Sequence, residues 1–498
     1  MPSGPAVANL PTENQLSNLH SLYAGGRHLD AFELCRELAP LTEWREVAAL
    51  LLGGRLAYQW GDDPLGKRLH LRAYRLDPAR DDTTFYYSQN LWSKHGPFEA
   101  LKFVRTRTRQ LPDIPATPHQ AYLWLQHGRL LGVYRDFTAG EPMVERAVAA
   151  FPQDPWMWVD KADFLESQDL YEEALAATDE SLRIRPWYRP AVTNRAHLLQ
   201  LLDRNEEAIA GLRVALDQIE SGAAVRMLIG ILEEQERLDE LPPLLDLAEK
   251  YLPMADAADR RWLAGRRATA AYRRGDWEQA QLWARKNGTA YFTRLADRIA
   301  NAKAPGPRVL LPVGFVRQHH MTCAPATLAA LSNFWGVPAD HAEIARLICY
   351  DGSLDHAERD WAETHGWGVR EFRPTWETTC QLLDLGCPFA FVTVETESAH
   401  MQAVIGYDAV AGTLLVRDPY HRYYRDWAAS EFFEAYAAYG PRAILIMPPE
   451  KAAMVDELGL ADVGLYDHLY RLRRALFRHE RSAADACFSD LRQRDEAH

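Results

Sequence analysis

Small residues recur every 34 positions through the first three hundred residues of this chain, and that period limits its fold more than any other feature. Ala162 and Ala196 occupy one such position, Ala174 and Ala208 another. Trp124 and Gly128 stand one period before Trp158 and Ala162, and Gly230 stands one period after Ala196. Apolar residues between them keep the three-and-four spacing of amphipathic helices. Each period therefore reads as two helices joined by a turn. A small residue on the first helix lets the second approach closely, and Tyr171 or Asp239 marks where the second begins. Proline often closes a unit, as at Pro152, Pro186 and Pro253, since a residue without an N–H does not continue a helix.

This pattern resembles the tetratricopeptide repeat family, whose hallmark is a helical pair of that length. The segment ending at Pro78 fits the template, as does 261–288, with Ala268, Trp277 and Ala280 in register; 80–120 fits it poorly. About seven or eight units are expected, filling 12–302. One helical pair cannot bury its own apolar stripe, so neighbours must stack into a superhelix with a concave face. The resemblance implies that this face holds a peptide or protein, with Asn194 and Arg195 as candidates to line it. Most Trp, Tyr and Leu at helical spacing are read as packing residues.

The periodicity stops at 303–315, KAPGPRVLLPVGF, where three prolines and two glycines mark a domain boundary. Short runs rich in Val, Ile and Phe follow: VLLPV, FAFVTV, MQAVIGYD, TLLVRDP and RAILIMP. They read as strands. Helices are expected at APATLAALSNFWG, HAEIARLICYDG and WETTCQLLDLG. Residues 303–450 thus form an α+β domain, and 451–498 return to helix as a tail that packs on this domain or begins another repeat. The fold class expected is mainly α: a repeat superhelix, then an α+β domain, then a short helical tail.

Chemistry concentrates in that second domain. Cys323 stands where a loop turns into an apolar helix, with Pro325 in the first turn. The positive end of a helix favours a thiolate, the nucleophilic form of cysteine. His400 opens a strand, where its ring is held rigidly; Asp418 ends the next strand, before Pro419. A hairpin brings the two together, so that the carboxylate orients the imidazole. Gln318, five residues before Cys323, is placed to aim an amide N–H at a developing oxyanion, with the Cys323 N–H as second donor. Nucleophile, base, orienting group and oxyanion donor each have a candidate.

QHHMTC, AHMQAVIGYD and RDPY resemble the bacteriocin-processing peptidases, a papain-like group that cuts leader peptides after double glycine. The resemblance covers about 308–448 and assigns the catalytic cysteine to Cys323, the histidine to His400, the aspartate to Asp418 and the oxyanion glutamine to Gln318. That family usually has Asp before the cysteine and Gly after it; here Thr322 and Ala324 stand there. No transporter segment follows within these residues, so acyl chemistry carries over better than double-glycine specificity. The resemblance implies a papain-like cysteine peptidase whose repeats recruit its peptide or protein substrate. Two other readings use the same residues: a catalytically inactive scaffold, and a thioester-forming acyltransferase or ligase.

Composition removes other classes. The net charge of −13 speaks against a general nucleic-acid or anionic-membrane binder. The N-terminus lacks a basic segment followed by an apolar core, and no apolar run approaches a membrane span. Six scattered cysteines with no CxxC pair suggest a reduced, cytoplasmic setting. No phosphate loop, dinucleotide fingerprint or HExxH is present, so no cofactor is expected. His319, His320 and Cys323 lack the second ligand pair a zinc site needs. Cys349, Cys380 and Cys387 are read as core thiols, and Trp335, Trp361, Trp367 and Trp376 as core or cleft wall.

Overall fold

The computed structural model describes residues 9–302, 306–350, 352–394, 399–439 and 441–493; residues 303–305 of the expected boundary lie outside these. The chain divides into two compact units, Met1–Gly288 and Thr289–His498.

In the first unit, helices run in antiparallel pairs. They are α1 (Glu13–Ala24) with α2 (His28–Arg36), α3 (Val47–Trp60) with α4 (Asp63–Leu76), and then the long α5 (Asp81–Thr108). The pairs α6 (Pro118–Val133) with α7 (Phe137–Ala150), α8 (Pro155–Glu166) with α9 (Tyr171–Ile184), and α10 (Arg189–Leu201) with α11 (Asn205–Leu216) follow. The last are α12 (Gly222–Glu234) with α13 (Leu241–Tyr251), and α14 (Ala257–Arg273) with α15 (Trp277–Asn287). The stretch that fits the repeat poorly is α5. Gly96, at φ 83°, and Pro97 break it in the middle, so its two halves take the place of a pair without a regular turn.

Why the small residues recur is now physical. A Cβ on Gly128 of α6 would lie 2.9 Å from the Gly140 carbonyl oxygen of α7, so the two backbones touch. One apolar cluster extends from Ala162 of α8 to Ala270 of α14 and includes the fully buried Leu198, Leu228 and Leu232. Each such leucine contributes about 1.5–3 kcal/mol, and only because the neighbouring pair covers it.

This unit also closes on itself. The Glu220 N–H donates to the Gly26 carbonyl at 3.0 Å, and the Met254 N–H to that of Trp60 at 2.8 Å. His28 Nδ1 donates to the Glu220 carbonyl at 2.7 Å, and the Glu220 carboxylate accepts from the Leu29 N–H at 2.6 Å. Backbone bonds therefore join the first two helical pairs to segments some two hundred residues later.

The second unit begins with α16 (Ala290–Asn301), a helix that the period alone assigns to the repeats. Its further elements are β1 (Arg308–Leu310), α17 (Cys323–Phe334), α18 (His341–Ile348), α19 (Asp355–Thr364), β2 (Gly368–Phe372) and α20 (Trp376–Asp384). Then come β3 (Phe389–Val394), β4 (Ala399–Asp408), β5 (Thr413–Arg417), β6 (Arg425–Ala428), α21 (Ala429–Tyr436) and β7 (Arg442–Met447). The tail holds α22 (Ala452–Asp456), α23 (Val463–Phe477) and α24 (Arg481–Gln493).

The strands form an antiparallel sheet in the order β2-β7-β3-β4-β5-β6, with β1 also paired to β4. Helix α17 packs Leu328 and Leu331 against Met401, Ala403 and Ile405 on one face. The other face carries Phe389, Val404 and Tyr407 beneath Leu382 and Phe432. A register shift between Val404 and Gly406 changes which β4 side chains face each layer. A Cβ on Gly406 would lie 2.2 Å from the Val309 carbonyl oxygen, so only glycine lets β1 reach β4. The tail packs on this unit: Arg359 of α19 pairs with Asp467 of α23 at 2.7 Å, and Tyr466 donates to the Pro441 carbonyl at 3.3 Å.

Two strands and two helices here escape the sequence patterns. They are β2, β6, α19 and α21. Cys349 departs from its reading as a core thiol: it is half-buried, and its thiol donates to the Met321 carbonyl at 3.2 Å. Cys387 is buried, and Cys380 packs at the edge of the same apolar layer, where burial pushes its thiol up to about 11.

Candidate active site

The expected site residues come from three separate stretches of chain, Gln318 with Cys323, His400, and Asp418, and the second unit gathers those stretches. Cys323 is the first residue of α17. Its N–H therefore has no acceptor within the helix. Thr322, which precedes it, does not cap the helix with its side chain; instead its hydroxyl accepts from the His319 N–H at 2.8 Å. The first turn's donors are thus left facing whatever lies beyond the helix end, where the peptide dipoles favour negative charge.

Met321, just before it, has φ 62°, a left-handed conformation that a non-glycine residue holds only when its surroundings insist. The Cys349 thiol bonded to the Met321 carbonyl is one such restraint. Sequence reasoning passed over Met321 and took Cys349 for a core thiol, and no local pattern marks a left-handed methionine.

His400 is the second residue of β4, and Asp418 directly follows β5. Ala403 lies opposite Arg417, so the hairpin carries the carboxylate toward the start of β4. His400 Nε2 donates to Asp418 Oδ1 at 2.9 Å. That bond occupies Nε2 and leaves Nδ1 for Cys323. Asp418 is 6% exposed and also accepts from the Tyr420 N–H at 2.8 Å, a local bond that fits the turn after β5. His421 Nε2 stands 3.8 Å from the other carboxylate oxygen.

The electrostatics follow from these neighbours. Burial works against a charged His400 ring, yet hydrogen bonds to Asp418 and to Cys323, together with their negative charges, outweigh it and lift the ring to about 9. Burial pushes Asp418 upward, but the His400 bond and the Tyr420 N–H hold it below the usual carboxylate range. His421 is lowered by burial and by Arg425, so the second imidazole adds no comparable charge.

Gln318 joins the same corner through its backbone: its N–H donates to the Pro419 carbonyl at 3.0 Å. The segment before the nucleophile is thereby tied to the residue after Asp418. Its side-chain oxygen is buried without a hydrogen-bond partner among the described residues. Trp335 is wall rather than site, since its indole N–H donates to the Ile446 carbonyl at 3.0 Å; Trp361 and Trp367 are buried. Among the described residues no group of three or more His, Cys, Asp or Glu is placed to hold a metal, and no helix is long and apolar enough to cross a membrane.

Residues 310–444 match the Peptidase_C39 like family. This part of the chain has a cysteine-peptidase fold. Among solved structures, the peptidase domain of Streptococcus ComA, a bifunctional ABC transporter involved in quorum sensing, is 22% identical over 27% of this chain and 98% of that domain, with a TM-score of 0.24. Pseudomonas aeruginosa PilF is 12% identical over 41% of this chain and 89% of its own, with a TM-score of 0.32. A tetratricopeptide repeat protein from Parabacteroides merdae is 14% identical over 48% and 92%, with a TM-score of 0.31. No curated protein sequence matches the chain.

Proposed function

We propose that the protein is a cysteine peptidase that hydrolyses a peptide or protein substrate recruited by its helical repeats. The observation that carries this reading is the convergence of Cys323, His400 and Asp418: one imidazole bonded to a buried carboxylate and raised by a thiol at a helix start. In the reaction, the Cys323 thiolate attacks the scissile carbonyl and forms a tetrahedral oxyanion. The Cys323 N–H and the Gln318 side chain stabilise that oxyanion. The His400 imidazolium protonates the departing amine, leaving a thioester and a neutral ring. Water then adds to the thioester as His400 takes its proton, releasing the acid and restoring the thiolate. Asp418 keeps Nε2 protonated and the ring in place throughout.

The test is labelling and turnover in the full chain. Wild type should react with a thiol-reactive peptide probe at Cys323, located by mass spectrometry so that Cys349 is told apart. Cys323→Ala should lose both that label and hydrolysis. Undiminished hydrolysis by Cys323→Ala would remove the reading.

A further inference from the structure

A concave site lies within the repeat unit, well apart in sequence from Cys323 and His400. It is a cavity of about 1150 Å³, walled by α1, α3, α4 and α5 and by the starts of α6, α8 and α10. A pocket of this size takes a ligand of at least ordinary small-molecule dimensions. Its shape is fixed in advance, because the backbone bonds at Gly26, Trp60 and Glu220 hold the unit closed. Aromatic rings dominate the wall, among them Tyr23, Tyr58, Tyr86, Tyr122, Trp156 and Tyr188.

Charge makes this wall unlike the rest of the chain. The lining holds four basic side chains, Arg55, Lys67, Arg185 and Arg189, against two acidic ones, Asp63 and Asp154, in a protein of net charge −13. Asp154 is already engaged: it accepts from the Tyr122 hydroxyl at 2.6 Å and caps Trp156. The other acid, Asp63, stands four residues before Lys67 on α4 and feels its charge.

Arg55 has no such partner. It lies over the Tyr23 ring at 4.9 Å and the Tyr86 ring at 5.9 Å, and its polar contacts, His20 Nδ1 at 3.4 Å and the Tyr86 hydroxyl, are not carboxylates. Its Nε is buried without an acceptor among the described residues. Arg185 stacks similarly over Tyr188 at 5.1 Å. Stacking holds a guanidinium by its face and leaves its N–H edge to bind a carboxylate. His20 is where the two cations meet: burial first, then Arg55 and Arg185, drive its pKa down. Burial takes His28 and His70 to about 4, so the cavity's positive charge rests on arginine and lysine. Arg55 and Arg185 are half-buried, and a partly desolvated cation facing no carboxylate favours a ligand that supplies one.

We propose that this cavity binds an organic carboxylate with an aromatic body, its anion held by Arg55 and Arg185 and its ring packed among the tyrosines. Two sources offer that chemistry: the free C-terminus of a peptide ending in an aromatic residue, and a free aromatic acid. The site is independent of the peptidase reading, because its test measures binding and not turnover.

Isothermal titration of the full-length Cys323→Ala protein decides it. The probes are N-acetyl-phenylalanine, a tripeptide ending in phenylalanine, the C-terminal amide of each, and N-acetyl-alanine. Both acids should bind, and the amides and the alanine acid should bind at least about tenfold more weakly. Arg55→Gln and, separately, Arg185→Gln should weaken the acids by at least about tenfold and leave the amides unchanged, with circular dichroism verifying that each variant is folded. A tighter tripeptide assigns the site to a peptide end; a tighter N-acetyl amino acid assigns it to a free acid. Equal affinity for acid and amide, or no heat from either acid at millimolar concentration, overturns the proposal.

Discussion

At the residue scale, the informative group is His400, because two neighbours pull on one ring. A folded His400 holds its proton more tightly than an unfolded histidine. Its contribution to stability is therefore complete below its ordinary value of 6.5 and fades as the pH rises toward about 9. The imidazolium needed to protonate a leaving amine disappears through the same value. Asp418→Asn removes the carboxylate but keeps the shape, so the ring should give up its proton at lower pH. Followed by the rate of Cys323 alkylation and by turnover, the alkaline limb should move down by about one unit or more, and turnover should fall at least about tenfold. An alkaline limb that does not move would show that Asp418 does not govern the ring. The placement of Cys323 at a helix start, His400 at a strand start and Asp418 just after a strand was legible in the sequence, because turn chemistry and apolar runs announce such boundaries. Met321 was not, because its left-handed backbone is imposed by tertiary contacts such as the Cys349 thiol.

At the element scale, legibility followed apolar patterning and failed where buried charge replaced it. The strand GVREF, β2, buries Glu371 at 3% exposure, and the helix DHAERDWAET, α19, buries Glu358 at 4%. Both look polar in sequence and are interior in fact. Arg442 at the start of β7 reconciles them, with Nη1 2.6 Å from Glu358 and Nη2 2.6 Å from Glu371. Burial outweighs the arginine at Glu358 and pushes that carboxyl up to about 7, so the cluster is a costly arrangement that pins α19 to the sheet. No single-residue pattern encodes a pair separated by 84 positions. Arg442→Met should lower the unfolding free energy by about 3–5 kcal/mol, since it strands two buried acids. Adding Glu358→Leu and Glu371→Leu should restore most of that loss. Urea unfolding of the three proteins checks both halves; an unaffected Arg442→Met would mean that the acids are solvated. The repeats were legible for the converse reason: their signal is small and apolar residues at a fixed period, and only the Gly96 break in α5 interrupts it.

At the scale of the whole molecule, the chain joins a unit with a cysteine-peptidase fold to a unit of helical repeats, and under the proposed function the two make different demands on a substrate. If the repeats recruit, they contact residues remote from the scissile bond. Those contacts add binding that is equal in the ground state and the transition state, which lowers KM and leaves kcat alone. A substrate cut back to the residues that flank its scissile bond should therefore keep kcat and show a KM raised by at least about tenfold. The removed segment, supplied separately, should inhibit cleavage of the long substrate competitively and leave cleavage of the short one untouched. This pattern separates recruitment from a peptidase that reads only its cleft, for which the loose segment inhibits neither reaction. It also separates recruitment from coupling between the units, for which the loose segment alters kcat on the short substrate as well.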